Sequence, residues 1–170
     1  MGNGERGTGG SQPAGVPAFL TRLVERWAEQ GIRPVGGVSE EELAAFEARR
    51  GVRIPADLRA YFRHVGGVLV NGETAALDHD LIRFWPLDEV STLREAWVAA
   101  PDAERWFVIA DYAMWTWAYV VRMGAEGATV AVSLGGAELR PVADSFEQFV
   151  ELYLRRDPLV ISPDQTTTHG

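Results

Sequence analysis

The stretch FVIADYAMWTWAYVVRM, residues 107–123, contains two apolar runs separated by a short polar segment, and it carries five aromatic side chains. Aromatic and β-branched residues favour strands, and a connection of a few residues suits antiparallel neighbours. We therefore predict strands at WFVIA (106–110) and WTWAYVVRM (115–123), with a third at ATVAVSL (128–134). The aromatic rings belong either to a core or to a surface that contacts a partner.

Side chains alternate between the two faces of a strand, so Trp115, Trp117 and Tyr119 are expected on one face. Large rings stabilise a fold most when they are buried, so Trp117 and Tyr119 are expected in the core. Trp115 stands at the strand entrance, close to Asp111 and Tyr112. For these three residues, packing and contact with a partner are equally open, because tyrosine and tryptophan also anchor protein interfaces.

Helical patterns lie on both sides of this strand region. The segment 38–51 begins with a capping-box pattern of Ser39 and Glu42 and ends at Gly51, which suits a helix C-terminus. Asp144 and Ser145 are both cap candidates for the last helix. Amphipathic spacing indicates the others, and the predicted helices cover 17–31, 38–51, 54–67, 87–100 and 144–156.

Two further strands are predicted between the helices. They are VLVNGET (68–74), where Asn71-Gly72 is a turn signal, and LIRFWPL (81–87), which a proline closes. The order of elements is helices, then strands with one helix inserted, then a helix. This order indicates an α+β fold.

The length of 170 residues and the 46% hydrophobic content indicate one domain with a single core. Residues 1–16 and 157–170 are rich in Gly, Pro, Ser and Thr, so we expect disordered tails around a domain at 17–156. The absence of cysteine excludes disulfides, thiolate metal sites and a cysteine nucleophile. No apolar run has the length of a membrane span and no signal-peptide pattern is present, so we expect a cytoplasmic protein without a membrane partner.

The balance of charges favours a basic protein partner. There are 24 acidic residues against 16 arginines, and the formal net charge is -8. A phosphate-binding surface would work against this field, so direct binding to nucleic acid is not expected. A basic protein would be attracted, and the attraction would weaken with salt. The alternative is that the charge serves only solubility.

Four segments, in this order, resemble the SUKH superfamily, in the branch named for the fungal cell-wall-assembly and killer-toxin-resistance regulators. They are SEEELAAFEARRGVRIPADLRAYFRHVGG, IRFWPLDEV, FVIADY and VADSFEQFVELYL, all within residues 38–154. The chain departs from the family pattern at Val65, where many relatives have Asn. It departs again at AMWTW (113–117), where glycine and acidic residues are common in relatives.

This resemblance implies a mixed, largely antiparallel sheet of about six strands with helices packed around it. It also implies a role in binding proteins rather than in catalysis. Many bacterial members resemble immunity proteins that neutralise toxins of polymorphic toxin systems, and the fungal members are regulators. Neither role comes with a catalytic motif.

The residues themselves offer little catalytic chemistry. Histidine occurs only at His64, His79 and His169, the first at the end of a predicted helix and the last in a predicted tail, so a multi-histidine metal site is poorly supplied. There is no lysine for a phosphate loop. The best local cluster is LDHDL (77–81), but alternation along a strand would point His79 away from Asp78 and Asp80. We therefore expect a solvated loop there, and no metal or cofactor.

The leading interpretation is a non-catalytic immunity protein that covers a basic toxin domain with acidic residues and aromatic anchors. A regulatory adaptor for an endogenous protein is the second interpretation, and a hydrolase that uses Asp78–Asp80 is the third. Loops at a sheet end can supply the centre and the rim of an interface. The predicted partner-binding residues are Glu73, Asp78, His79, Asp80, Asp111, Tyr112 and Trp115.

Overall fold

The structure is a computed structural model, and it describes residues 15–71, 74–75, 77–96, 98–124 and 128–165. Its helices are α1 (Ala18–Glu29), α2 (Glu40–Arg50), α3 (Ala56–His64), α4 (Phe146–Leu154) and α5 (Pro158–Ile161). Its strands are β1 (Val70–Asn71), β2 (Thr74–Ala75), β3 (Ile82–Phe84), β4 (Trp106–Tyr112), β5 (Trp117–Arg122), β6 (Val130–Ser133) and β7 (Leu139–Ala143).

The main sheet is antiparallel throughout and has the order β3-β4-β5-β6-β7, so each strand pairs with the next one along the chain. Strands β1 and β2 form a separate antiparallel pair. The predicted α+β class is confirmed, although the main sheet has five strands among the described residues and no parallel pair. The sequence patterns miss β7 because Pro141, in its middle, argues against a strand, and this proline is exposed on the sheet edge.

The two faces of this sheet are covered differently. Side chains from all five helices pack against the face that carries Tyr119. The opposite face, which carries Val120, is covered by the segment that joins β3 to β4, through Trp85, Leu93 and Ala103. The five α-helices therefore pack on one face of the sheet, and a short 3-10 helix, Ala103–Arg105, belongs to the cover of the other.

The helix predicted over 87–100 is wrong. The described residues of this segment form turns that run alongside β4 and hydrogen-bond to it. Leu93 N donates to Trp106 O at 2.9 Å, and Val108 N donates to Ser91 O at 2.8 Å. These tertiary hydrogen bonds prevent a continuous helix, and a local apolar pattern does not reveal them.

The predicted helix signals of α2 and α4 are confirmed. Ser39 and Glu42 form the full capping box, and Gly51 ends α2 with a φ of 64°. Ser145 caps α4 by accepting a hydrogen bond from a backbone N–H of the first turn. Pro55 occupies the N-cap position just before α3.

Two glycines reverse the chain after α3. Gly66 and Gly67 have φ values of 82° and 91°. A Cβ on Gly66 would lie only 1.7 Å from the Gly36 carbonyl oxygen, so no larger residue fits. Val35 N donates to Gly67 O at 2.8 Å, which fixes the α1–α2 connection against the end of α3.

Residues 157–165 belong to the folded part of the chain, so the expected boundary at 156 is too early. Asp157 caps α5 by accepting from Leu159 N at 3.0 Å. Val160 is fully buried, and its carbonyl oxygen accepts a hydrogen bond from the Tyr119 hydroxyl. One buried valine and one backbone acceptor produce no periodic signal, so the sequence pattern misses this packing.

We expect removal of residues 157–170 to lower the free energy of unfolding by about 3 kcal/mol, because a buried valine is lost and the Tyr119 hydroxyl loses its acceptor. A chain that ends after residue 165 keeps both contacts and is the control. Urea unfolding of the two shortened chains and the full chain measures the difference. Equal midpoints for all three would contradict the assignment of α5 to the fold.

Candidate functional site

Two turns meet at one end of the main sheet. One of them, at 77–81, precedes β3, and the other, at 113–116, joins β4 to β5. A hydrogen bond of 2.8 Å from Ala113 N to Leu81 O connects them. The segment LDHDL (77–81) and the segment that contains Asp111, Tyr112 and Trp115 are therefore neighbours in space.

Three large apolar side chains at this end of the sheet are exposed, and we call Leu81, Met114 and Trp115 the sheet-end patch. Their exposed fractions are 42%, 74% and 44%. The Trp115 ring contacts the buried Trp85 ring edge-on, with centroids 4.8 Å apart. A partner would therefore meet a large ring that is already held in position.

The backbone of these turns is strained. Leu81, Ala113, Met114 and Trp115 have φ values of 62°, 45°, 54° and 75°, a region that residues other than glycine rarely adopt. Each such residue costs about 1 kcal/mol or more, and the strain persists only where surrounding contacts enforce it. Strain gathered at one place is a common property of binding and catalytic sites.

The contacts that enforce the β4–β5 turn come from Asp111, which is only 2% exposed. One carboxylate oxygen accepts from Trp115 N at 3.0 Å, and the other accepts from the Trp85 indole N–H at 2.5 Å. Arg83 lies 3.5 Å from this carboxylate and also pairs with Glu89 at 2.8 Å. Asp111 was predicted to contact a partner, but it is enclosed and instead positions Trp115.

Asp78, also predicted to contact a partner, is 3% exposed. Its carboxylate accepts from the N–H groups of Asp80 (2.9 Å) and Ile82 (2.8 Å) and from the Tyr153 hydroxyl. That hydroxyl accepts from the Trp27 indole N–H at 3.1 Å, so the network joins α1 and α4 to the turn before β3. Burial raises the pKa of the Asp78 carboxyl, and burial near Asp78 raises the pKa of the Tyr153 hydroxyl. Asp78 therefore stabilises the turn from inside.

Three other residues predicted to bind a partner, Glu73, His79 and Asp80, have different environments. Asp80 pairs with Arg156 through two nitrogens at 2.6–3.2 Å, and its side chain is 11% exposed against 57% for the arginine. The charge that faces solvent here is thus the guanidinium. His79 is exposed, and its backbone N–H donates to Gln30 at 2.7 Å. Glu73 lies outside the described residues.

Tyr112 and Trp117 stack face to face, with ring centroids 3.7 Å apart. Trp117 is 9% exposed and Tyr119 is fully buried, which confirms that both belong to the core. The expectation that Trp115 shares their face is wrong. Three consecutive residues with positive φ carry its ring to the opposite face, beside Trp85.

Sequence reasoning misses Leu81, Met114 and Arg156 as members of this site. In the sequence, they stand at the start of a predicted strand, inside a short turn and at the end of a predicted helix. Only the meeting of the two turns and the Asp80–Arg156 pair bring them together. The one sequence feature that points to this site is AMW (113–115), because a tight turn built from apolar residues without glycine is unusual.

Within the described ranges, no group of three or more histidine or acidic side chains is arranged to hold a metal ion. None of the helices described there is long and apolar enough to cross a lipid bilayer. The sheet end therefore presents an apolar surface, and the buried pair of Arg83 and Asp111 lies behind it.

A comparison with known protein families gives one match. The SMI1 / KNR4 family (SUKH-1) matches residues 37–152, which is more than half of the chain. The chain belongs to this family. The SMI1 / KNR4 match begins before α2 and ends within α4, so it includes the glycine turn, the main strands and the sheet-end patch, while α1 and α5 lie outside it. No curated protein matches the chain.

We expect Asp111→Ala to lower the free energy of unfolding by about 3 kcal/mol or more, because the nearly buried Arg83 loses one of its carboxylates and two N–H groups lose their acceptor. Glu104→Ala is the control, since its carboxylate and its ion pair with Arg94 are exposed to solvent, and it should cost much less. Urea unfolding followed by circular dichroism measures both. Similar losses would show that Asp111 does not hold the turn.

Asp78 should make stability depend on pH in a defined direction. Its pKa is raised in the folded state, so the folded chain binds this proton more tightly than the unfolded chain does. Its contribution to the free energy of unfolding is therefore fully present below the ordinary value of 3.8 and falls as the pH rises through the raised pKa. Asp78→Asn lacks this titration. Urea unfolding at several pH values should show the wild-type advantage over the variant shrinking across this window, whereas a constant difference would contradict the raised pKa.

Proposed function

We propose that the chain is a non-catalytic protein-binding domain that acts as an immunity protein, and that it binds and neutralises a toxin domain of a bacterial polymorphic toxin system. The sheet-end patch carries this proposal, because it combines three exposed apolar side chains with a strained backbone. Membership of the SMI1 / KNR4 family supports it, since the resemblance links bacterial members with immunity.

The patch has the composition of an interface centre. Tryptophan and methionine are enriched in such centres, and a few anchors supply most of the binding energy. Trp115 is fixed by the Trp85 ring and by the hydrogen bond from its own N–H to Asp111, so little conformational entropy is lost when a partner covers it. Exposed polar groups of His79 and Arg156 supply a rim.

The net charge of -8 favours a basic toxin domain, because the field of the chain would speed its association. The carboxylates of Asp80 and Asp111 face arginines, so they contribute little to this attraction. Exposed acidic residues elsewhere on the surface would therefore attract the partner. The patch would then retain it.

A hydrolase has little support from this geometry. It would need a free carboxylate and histidine in the Asp78–Asp80 loop, but the Asp78 carboxylate accepts three hydrogen bonds in a buried network and Asp80 is paired with Arg156. A regulatory adaptor that uses the same patch on an endogenous protein is the second candidate, and the fungal regulators of the family favour it.

The experiment co-expresses the chain with the product of a toxin-like gene that neighbours its own gene. Survival of the cells, together with a stoichiometric complex of the two proteins, would support immunity. A complex with an endogenous protein and no protection from the toxin would support the adaptor. Failure to form any protein complex would contradict both.

Trp115→Ala should raise the Kd for the partner about 30-fold, equivalent to about 2 kcal/mol, mainly through faster dissociation. Trp117→Ala is the matched control. As a core substitution, it should lower the free energy of unfolding by about 3–5 kcal/mol and change binding only through folding. Kinetic binding measurements and urea unfolding of both variants check these outcomes.

The half-exposed Trp115 ring should contribute less to stability than the buried Trp117 ring, so Trp115→Ala should unfold at a clearly higher urea concentration than Trp117→Ala. If the two variants unfold together and Trp115→Ala binds like the wild-type chain, Trp115 has only a packing role. The binding face then lies elsewhere on the molecule.

A further inference from the structure

A groove lies between α2, the α1–α2 connection and the residues that follow β3. Val35, Leu69 and Leu87 line it together with the charged residues Glu42, Arg49 and Asp88. Val35 is 44% exposed and Leu69 is 38% exposed. Seven large apolar side chains are exposed among the described residues, of which three form the sheet-end patch and these two lie in the groove. Exposed apolar surface is thus concentrated at two places.

Backbone hydrogen bonds and close packing hold the walls of the groove together. Gly36 N donates to Val65 O at 3.1 Å, beside the hydrogen bond that joins Val35 to Gly67. A Cβ on Gly67 would lie 2.5 Å from Pro86 N, so the chain after α3 packs tightly on the chain after β3. A groove that is formed in advance loses little conformational entropy when it is filled.

The charges in the groove are not balanced. Glu42 accepts a hydrogen bond from Ser39 N at 2.8 Å, which lowers the pKa of its carboxyl, and Asp88 is exposed. Arg49, the one cation among the described residues that line the groove, has its guanidinium over the Phe46 ring of its own helix, 5.8 Å from the ring centroid. Together with the net charge of -8, two carboxylates beside exposed aliphatic side chains favour a ligand that is both apolar and cationic.

We propose that this groove binds a basic, apolar segment of a protein partner, in which an arginine or lysine stands beside aliphatic side chains. The aliphatic side chains cover Val35 and Leu69, and the cation meets the carboxylates of Glu42 and Asp88. This proposal rests on the proposed function, because the occupant is part of the bound protein. In this proposal, the groove recognises the partner's positive charge, and the sheet-end patch slows the partner's dissociation.

The test titrates the ¹⁵N-labelled full chain with the capped peptide acetyl-Ile-Arg-Leu-Arg-amide, and separately with acetyl-Ile-Glu-Leu-Glu-amide, while amide chemical shifts are recorded. The basic peptide should cause saturable shifts at Val35, Leu69 and Leu87, and the acidic peptide should cause none. Shifts that do not saturate, that both peptides share, or that occur at the sheet-end patch instead would overturn the proposal.

Two charge-reversal variants distinguish the effect of charges in the groove from the effect of the net charge of the chain. Asp88→Arg should raise the Kd for the basic peptide about tenfold, because like charges then meet in the groove. Glu138→Arg, at an exposed position in the β6–β7 turn, changes the net charge by the same amount and should change the Kd less than about twofold. Equal effects of the two variants would mean that only net charge matters, and this would overturn the proposal.

Leu69→Ser tests the apolar part, and it should weaken peptide binding about fivefold by removing exposed aliphatic surface. Thermal melting of all three variants checks that they fold like the wild-type chain. If a toxin complex forms and Asp88→Arg does not change its Kd, the groove proposal fails and the immunity function stands. If no toxin partner exists, the peptide titration still decides whether the groove binds.

Discussion

Asp111 carries a negative charge at the end of β4, where almost no water reaches it. An ion in such a place is tolerated only when neighbouring groups supply hydrogen bonds and opposite charge. Those neighbours are Arg83 in β3, Trp85 just after it and the backbone of Trp115 in the β4–β5 turn. The carboxylate therefore links the edge strand, the cover of the second sheet face and the strained turn. The position of Trp115 in the sheet-end patch depends on these contacts.

Features that depend on local chemistry could be predicted from the sequence. The capping box at Ser39 and the cap at Ser145 form within one helical turn, so the pattern of residues nearly determines them. The segment 87–100 and α5 could not be predicted in this way. Their structure depends on hydrogen bonds to distant residues, such as Leu93 to Trp106 and Tyr119 to Val160.

The candidate site shows the same division. The sequence indicates the right loops, because DYAMW and LDHDL do lie together at one sheet end. It does not indicate which side chains those loops expose. Asp78 and Asp111 look like surface residues by composition, yet both are buried by partners that are distant in the sequence. Leu81 and Met114 look like packing residues, yet strained turns carry them to the surface.

The order of the strands has a consequence for how the chain folds. In the main sheet, each hydrogen-bonded pair joins strands that are consecutive in sequence. The pairs from β4 to β7 require only short loops to close, whereas the β3–β4 pair closes the longer segment 85–105. The contact between Trp27 and Tyr153, by contrast, spans 126 residues. During synthesis, the sheet can therefore form before its helix-bearing face is complete. That apolar face stays partly uncovered until α4 and α5, which follow the sheet in sequence, have left the ribosome.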